Sequence, residues 1–220
     1  MVNIRLLAIL LVVITISVSY FTIVNRNLLN QYSEDTTTTQ SSREEPVIGP
    51  VPVPFDKIAS EVSLDVVVKQ WSKRGWIPHL PTYLPKNLSL ATIYAKVLDG
   101  EVGNIIMLVY SSTNDKRIDT SELTLTIEPI GENPIWYITN SSREKIIKVN
   151  GLDAYLNIRA PYTDLTGEYY EKYGVDYCII AEIKINVLYY EYCFAPIFSI
   201  DEIIKILESM KPIDINTLHS

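Results

Sequence analysis

The chain has 220 residues, of which 26 are acidic and 19 are basic, giving a net charge of −7. Removing Arg5 and Arg26, which flank an apolar segment, leaves 17 basic residues against 26 acidic ones, a net charge near −9. Such a surface is repelled by nucleic acid and by anionic lipid headgroups, and the sequence contains no basic run. Composition therefore excludes nucleic acid as a partner.

The first element is an apolar segment, residues 6–24, without a charged side chain. As a helix it would span about 28 Å, close to the hydrocarbon thickness of a bilayer. We predict a signal-anchor helix that leaves residues 1–5 in the cytoplasm and places the rest outside, as a single-pass protein of the cell membrane. The alternative is a cleavable signal peptide, with Ser17 and Ser19 at the cleavage site, and a secreted product.

Residues 25–55 are polar, then rich in Thr and Ser, then rich in proline. The segment has no apolar periodicity and cannot bury enough surface to offset the entropy of ordering it. We predict a flexible stalk between the membrane and a folded domain at residues 56–214.

The folded domain is predicted to be α+β. Leu64, Val67, Val68 and Trp71 have helical spacing, and Ser199 with Glu202 forms a capping box at the start of a C-terminal helix. Between these helices the apolar pattern is that of strands, with hairpin turns at Asp99-Gly100 and Asn150-Gly151. We predict a largely antiparallel, curved sheet of about seven to eight strands with an N-terminal and a C-terminal helix.

The order of motifs resembles a known family. The stretch "PTYLPKNL" at residues 81–88, the "VNGLDA" at residues 149–154 and the final "IDEIIKILESMKP" are similar to the domain-of-unknown-function 4367 family. That resemblance covers roughly residues 60–212. It implies an extracytoplasmic α+β domain of a membrane-anchored protein, similar to the lipoprotein-carrier type of curved sheet, and it implies no catalytic residues.

Both cysteines lie in the apolar stretch "DYCIIAEIKINVLYYEYCFAP". If this stretch is a hairpin that turns at Ile185-Asn186, Cys178 lies directly opposite Cys193, at a separation that a disulfide can bridge. We predict a disulfide between Cys178 and Cys193, which would indicate an oxidising exterior. Two free buried thiols and a metal or redox pair are the alternatives.

Two further sets of residues are candidates for contact or modification. Tyr169, Tyr170 and Tyr173 lie in "TGEYYEKYG", which is predicted to be a mobile loop whose tyrosines could contact a ligand or a partner. The alternative is that these tyrosines pack against the sheet. Asn87 and Asn140 begin N-glycosylation sequons in predicted loops of an exported domain.

The sequence contains no HExxH, GxSxG, P-loop or GxGxxG motif, and the S-x-x-K match at Ser142–Lys145 has no companion SDN or KTG motif. We therefore predict no catalytic residue, no cofactor and no metal, and a membrane-anchored extracytoplasmic binding or interaction module. Its partner could be an envelope protein, a glycan or a lipid. A carrier of lipids or other hydrophobic ligands is the second hypothesis. An envelope hydrolase that uses carboxylates, such as Glu144 with Asp153 or Asp164 with Glu168, is the third.

Overall fold

A computed structural model describes residues 55–85, 87–161 and 167–214. The chain divides into two units, Met1–Pro50 and Val51–Ser220, and the described residues all belong to the second. The predicted anchor at residues 6–24 lies outside the described residues, as does almost all of the stalk at residues 25–55. Among the described residues, no helix is long and apolar enough to span a bilayer.

Four helices and ten strands make up the described part of this unit. The helices are α1 (Phe55–Ile58), α2 (Leu64–Ser72), α3 (Gly167–Tyr173) and α4 (Ile200–Glu208). The strands are β1 (Ser60–Glu61), β2 (His79–Pro81), β3 (Ser89–Leu98), β4 (Glu101–Ser111), β5 (Leu123–Pro129), β6 (Glu144–Val149), β7 (Leu152–Pro161), β8 (Tyr177–Ile185), β9 (Leu188–Phe194) and β10 (Met210–Pro212).

Eight strands form one antiparallel sheet in the order β1-β3-β4-β5-β9-β8-β7-β6. β2 and β10 form a separate two-stranded sheet, which tolerates Pro81 and Pro212 because each strand has only one neighbour. The predicted α+β class is confirmed, as are the helix near the start of the domain and the helix near its end.

Helices α2 and α4 cover one face of the large sheet. Val67 and Trp71 of α2 and Ile206 of α4 belong to one buried cluster with the inward-facing side chains of the strands. Buried aromatic groups in this core have polar partners: the Trp71 indole donates to the carbonyl of Gly103 at 3.0 Å, and the Tyr192 hydroxyl donates to a Met210 sulfur at 2.9 Å. The space between sheet and helices is therefore occupied by side chains.

Both predicted hairpin turns are confirmed, and the register predicted for the second hairpin is confirmed as well. Asn150 and Gly151 both have positive φ, which this two-residue turn requires, and Asn tolerates that conformation better than most residues. Val149 pairs with Leu152 across the turn, as predicted. Asp99-Gly100 forms the equivalent turn between β3 and β4.

The predicted register of the β8–β9 hairpin is wrong by two residues. The turn consists of Asn186 and Val187, so that Ile185 pairs with Leu188. Asn186 has a φ of 56°, a left-handed conformation that Ile185 would resist because its side chain is β-branched. A shift of two residues leaves every side chain on its predicted face, and it changes only which residues are opposite.

The segment predicted to be a mobile loop is a helix in the structure. Gly167–Tyr173 forms α3, with Tyr169 buried beneath it. Its hydroxyl donates to the carbonyl of Tyr177 at 3.2 Å, which ties the helix to the start of β8. The clustered aromatic residues stabilise the helix by packing against the sheet.

The capping box of α4 offers a direct test of local stability. Ser199 Oγ accepts from the backbone N–H of Glu202, and the Glu202 carboxylate accepts from the backbone N–H of Ser199 at 2.9 Å. Ser199→Ala should lower the free energy of unfolding by about 1 kcal/mol, since the backbone N–H of Glu202 loses its acceptor. Chemical denaturation of the full chain measures the change. Ser199→Asp, which keeps an acceptor, should lose much less, and equal losses would contradict the assignment.

Candidate functional site

The face of the sheet opposite α2 and α4, here called the open face, carries a row of directly opposed side chains across all eight strands. The row is continuous because each register pairs a member with the next. In order, it contains Glu61, Tyr94, Met107, Thr126, Glu191, Glu182, Tyr155 and Ile146. Its three members on β9, β8 and β7 are half-buried, and neither α2 nor α4 covers them.

Two carboxylates meet at the centre of the row. Glu182 of β8 lies directly opposite Glu191 of β9, an arrangement that is destabilising when both are ionised. Burial raises the pKa of Glu191 above the ordinary carboxyl value, and the charges of Glu182 and Glu128 raise it further. The sequence did not reveal this pair because the expected register placed Glu182 opposite Tyr189.

Glu182 is held by two neutral donors. The indole Nε1 of Trp136 donates to Glu182 Oε2 at 2.5 Å, and the Tyr189 hydroxyl donates to the same oxygen. The Trp136 ring stacks on Tyr155 with centroids 6.4 Å apart and planes 15° apart. These contacts fasten the segment that connects β5 to β6 across the open face.

A groove of about 540 Å³ lies beside this fastened segment. Apolar side chains form one part of its wall, and amide, carboxylate and ammonium groups form the rest. The lining residues are Asn133, Pro134, Ile135, Trp136, Ile146, Leu152, Asp153, Lys184 and Asn186. This mixture of an apolar surface with a few polar groups is typical of ligand sites.

The rim of the groove exposes large apolar side chains. Ile135 in its wall is 74% exposed, and Ile146 and Leu152, which also line the groove, are about two-fifths exposed. Tyr137, which follows Trp136 in the chain, is 78% exposed. Lys184 Nζ donates to the carbonyl of Glu132 at 2.9 Å, which braces the start of the segment against β8. The groove therefore has a partly apolar wall, held in place by the contacts of Trp136 and Lys184, and exposed apolar side chains at its edge.

The cysteines lie on the open face but are not directly opposed. Cys193 pairs with Ile180, so that Cys178 occupies a diagonal position two residues away, and both cysteines are free thiols in the structure. A hydrogen bond between the thiols of Cys178 and Cys193, together with burial, raises the pKa of Cys193 well above its ordinary value. The two thiols are therefore close to each other, although the residues are diagonal and not directly opposed.

The three candidate tyrosines do not form a common contact surface. Tyr169 is buried near the thiols, and Tyr173 directs its hydroxyl to the carbonyls of Thr120 and Ser121. Tyr170 alone of the three is strongly exposed, at 60%. Tyr169 and Tyr173 therefore pack against the sheet, which was the alternative to contact with a ligand or partner.

Asn87 and Asn140 are both exposed, so that the structure leaves both sequons accessible. Asn140 Oδ1 accepts from Ser142 Oγ at 2.6 Å, within its own sequon.

Of the two carboxylate pairs considered for hydrolysis, Glu144 and Asp153 have separate partners. Glu144 accepts from the backbone of Thr139 and Asn140, whereas Asp153 pairs with Lys148 at 2.7 Å. Glu168 pairs with Arg117, and Asp164 lies outside the described residues. Among the described residues, no group of three or more His, Cys, Asp or Glu side chains is placed to hold a metal ion.

No family model matches the chain, and neither the curated proteins nor the solved structures include a significant match. The resemblance to the domain-of-unknown-function 4367 family therefore rests on the sequence motifs alone.

The opposed carboxylates predict an unusual pH dependence of stability. Because the pKa of Glu191 is raised in the folded protein, folding favours its protonated form. The stability that this group contributes is present at acidic pH and is lost as pH rises through its folded pKa. Glu191→Gln should therefore raise the midpoint of denaturation at pH 8 and have little effect near pH 4.

Glu128→Gln is the matched control for this prediction, because Glu128 lies on the neighbouring strand without a directly opposed carboxylate. It should give a smaller gain at pH 8. A loss of stability in Glu191→Gln at both pH values would show that the ionised carboxylate is favourable where it stands.

Mass measurement after alkylation tests whether the predicted disulfide forms. Alkylation of the denatured, unreduced chain should add no label if Cys178 and Cys193 are bridged after export, and two labels if the thiols stay free. We expect no label in chain recovered from an oxidising compartment. Two labels there would contradict the disulfide. In the native chain, Cys178 should resist alkylation in either case because it is fully buried.

Proposed function

We propose that the chain is a membrane-anchored extracytoplasmic binding module whose ligand is an extended, apolar segment of another envelope protein. The observation that carries this proposal is the groove beside Trp136, with the exposed side chains of Ile135 in its wall and of Tyr137 next to Trp136 in the chain. Exposed apolar side chains grouped around a groove mark a surface for protein contact.

The construction of the rim supports a preformed site. Trp136 is fixed by its bond to Glu182 and by stacking on Tyr155, so that ordering this part of the groove costs little when a ligand binds. Tyr137 follows directly and has few rotatable bonds, and aromatic residues of this kind dominate the energy of protein interfaces. A peptide that inserts one or two apolar side chains would cover both.

A hydrophobic carrier receives less support from the same features. The helix-covered side of the sheet is occupied by large side chains such as Trp71 and Tyr190. The groove beside Trp136 is open to solvent and carries Asp153 and Lys184 in its wall. An acyl chain is better matched by an enclosed, uniformly apolar space.

The proposal predicts that binding depends on Tyr137. Peptides selected from a displayed random library on the full chain in lipid nanodiscs should be rich in apolar residues. Tyr137→Ala should weaken their binding at least tenfold, since truncating an aromatic anchor costs about 2 kcal/mol or more.

Tyr170→Ala is the control, because Tyr170 is also a strongly exposed tyrosine but lies on α3, which contributes no residue to the groove wall, whereas Tyr137 directly follows the lining residues Ile135 and Trp136. It should leave peptide binding unchanged. Equal losses in the two variants, or peptides that bind both with unchanged affinity, would overturn the proposal. A lipid found by native mass spectrometry and displaced by Leu152→Trp would favour the carrier instead.

A further inference from the structure

Strand β6 is the outer strand of the sheet, and the direction of its free backbone groups can be assigned. Arg143 accepts from the N–H of Ile158 at 2.9 Å in the same register as the β6–β7 pairs. Backbone groups alternate in direction along an antiparallel strand, so that the odd-numbered residues of β6 face β7. The N–H and C=O groups of Ile146 and Lys148 therefore point outward.

Within the described part of the chain, no backbone hydrogen bond joins the outward groups of Ile146 or Lys148 to another segment. The outward N–H of Glu144 is already bonded to the carbonyl of Asn140 at 2.8 Å. The side chains of Glu144, Ile146 and Lys148 share the open face, because side-chain direction alternates with the same period as backbone direction. The edge thus presents an acid, an apolar residue and a base in order.

We propose that β6 pairs in antiparallel fashion with β6 of a second copy of this chain, with Ile146 opposite Ile146 at the two-fold axis. In that register, Glu144 of each copy lies opposite Lys148 of the other. The outward backbone groups of the two strands then face each other, as a ladder of hydrogen bonds requires. The two Ile146 residues exchange two backbone hydrogen bonds, and on each side the backbone N–H of Lys148 donates to the backbone carbonyl of Glu144.

The register follows from charge complementarity. A shift of two residues in either direction puts Ile146 opposite Lys148 or opposite Glu144, which leaves the charges without opposite partners. A shift of one residue puts a residue whose backbone groups point toward β7 opposite one whose backbone groups point outward. Such a pair cannot exchange hydrogen bonds, so no ladder forms. Opposite charges directly across a strand pair are stabilising, and like charges are not. The strand is therefore complementary to itself in one register.

Both charged residues are already positioned for this role. Glu144 is kept ionised because backbone bonds from Asn140 and Thr139 lower its pKa. Lys148 bonds Asp153 at 2.7 Å on its own copy and would then lie between two carboxylates. Ile146, 42% exposed, would be covered at the axis. Lysines on an outer strand usually prevent pairing, but here the self-paired register gives Lys148 an opposite charge.

Charge exchange tests the register. Glu144→Lys alone and Lys148→Glu alone should each convert a dimer into a monomer, because each places like charges opposite one another twice. A mixture of the two variants should form a heterodimer, since every opposed pair then has opposite signs. Energy transfer between differently labelled full chains in detergent measures all three cases. Lys145→Glu, on the other face of β6, is the matched control and should remain a dimer.

A second measurement does not depend on variants that could disturb Thr139. A carbodiimide activates a carboxylate, and a lysine amine then displaces the activating group to form an amide. Carbodiimide treatment of the unaltered chain should give a covalent dimer that contains an amide between Glu144 of one copy and Lys148 of the other. An unaltered chain that sediments as a monomer, a mixture that does not associate, or a cross-linked dimer without this amide would overturn the proposal. The first outcome would leave β6 free for a foreign strand.

Discussion

Ile185 pairs with Leu188 across a two-residue turn, and the contacts of the open face depend on that register. It places Glu182 beside Glu191 and within reach of the Trp136 indole. Trp136 in turn fastens the segment that forms the groove. A register shifted by two residues would keep the core face apolar, but it would put Tyr189 in the place of Glu191 and remove the carboxylate pair.

The opposed carboxylates are an electrostatic cost at the centre of the sheet. The cost is limited in two ways: Glu182 accepts two strong hydrogen bonds, and Glu191 favours its protonated form because its pKa is raised. Arrangements that reduce stability persist more readily where they serve a site than in the interior of a core. The same contacts hold Trp136 in place, so that the polar centre of the open face and the groove form one structural unit.

Turn chemistry explains how much of the fold could be predicted from the sequence. Asn150-Gly151 has a strong preference for one turn, and the β6–β7 register followed from it correctly. The β8–β9 turn lacks glycine, so that periodicity assigned the faces but not the register. The groove was not predictable in this way, because it depends on Trp136 crossing to Glu182 from 46 residues away. The clustered tyrosines suggested a loop, whereas burial of Tyr169 favours a helix.

The register of β8 and β9 can be measured directly by nuclear magnetic resonance. In the structure, Glu182 and Glu191 form a pair without mutual backbone hydrogen bonds, because the alternation starts from the bonded pair Ile185 and Leu188. Their α-carbons should be about 4.5 Å apart, and a strong cross-peak should join their Hα protons. A cross-peak between the Hα protons of Glu182 and Tyr189 instead would contradict the carboxylate pair and the site built around it.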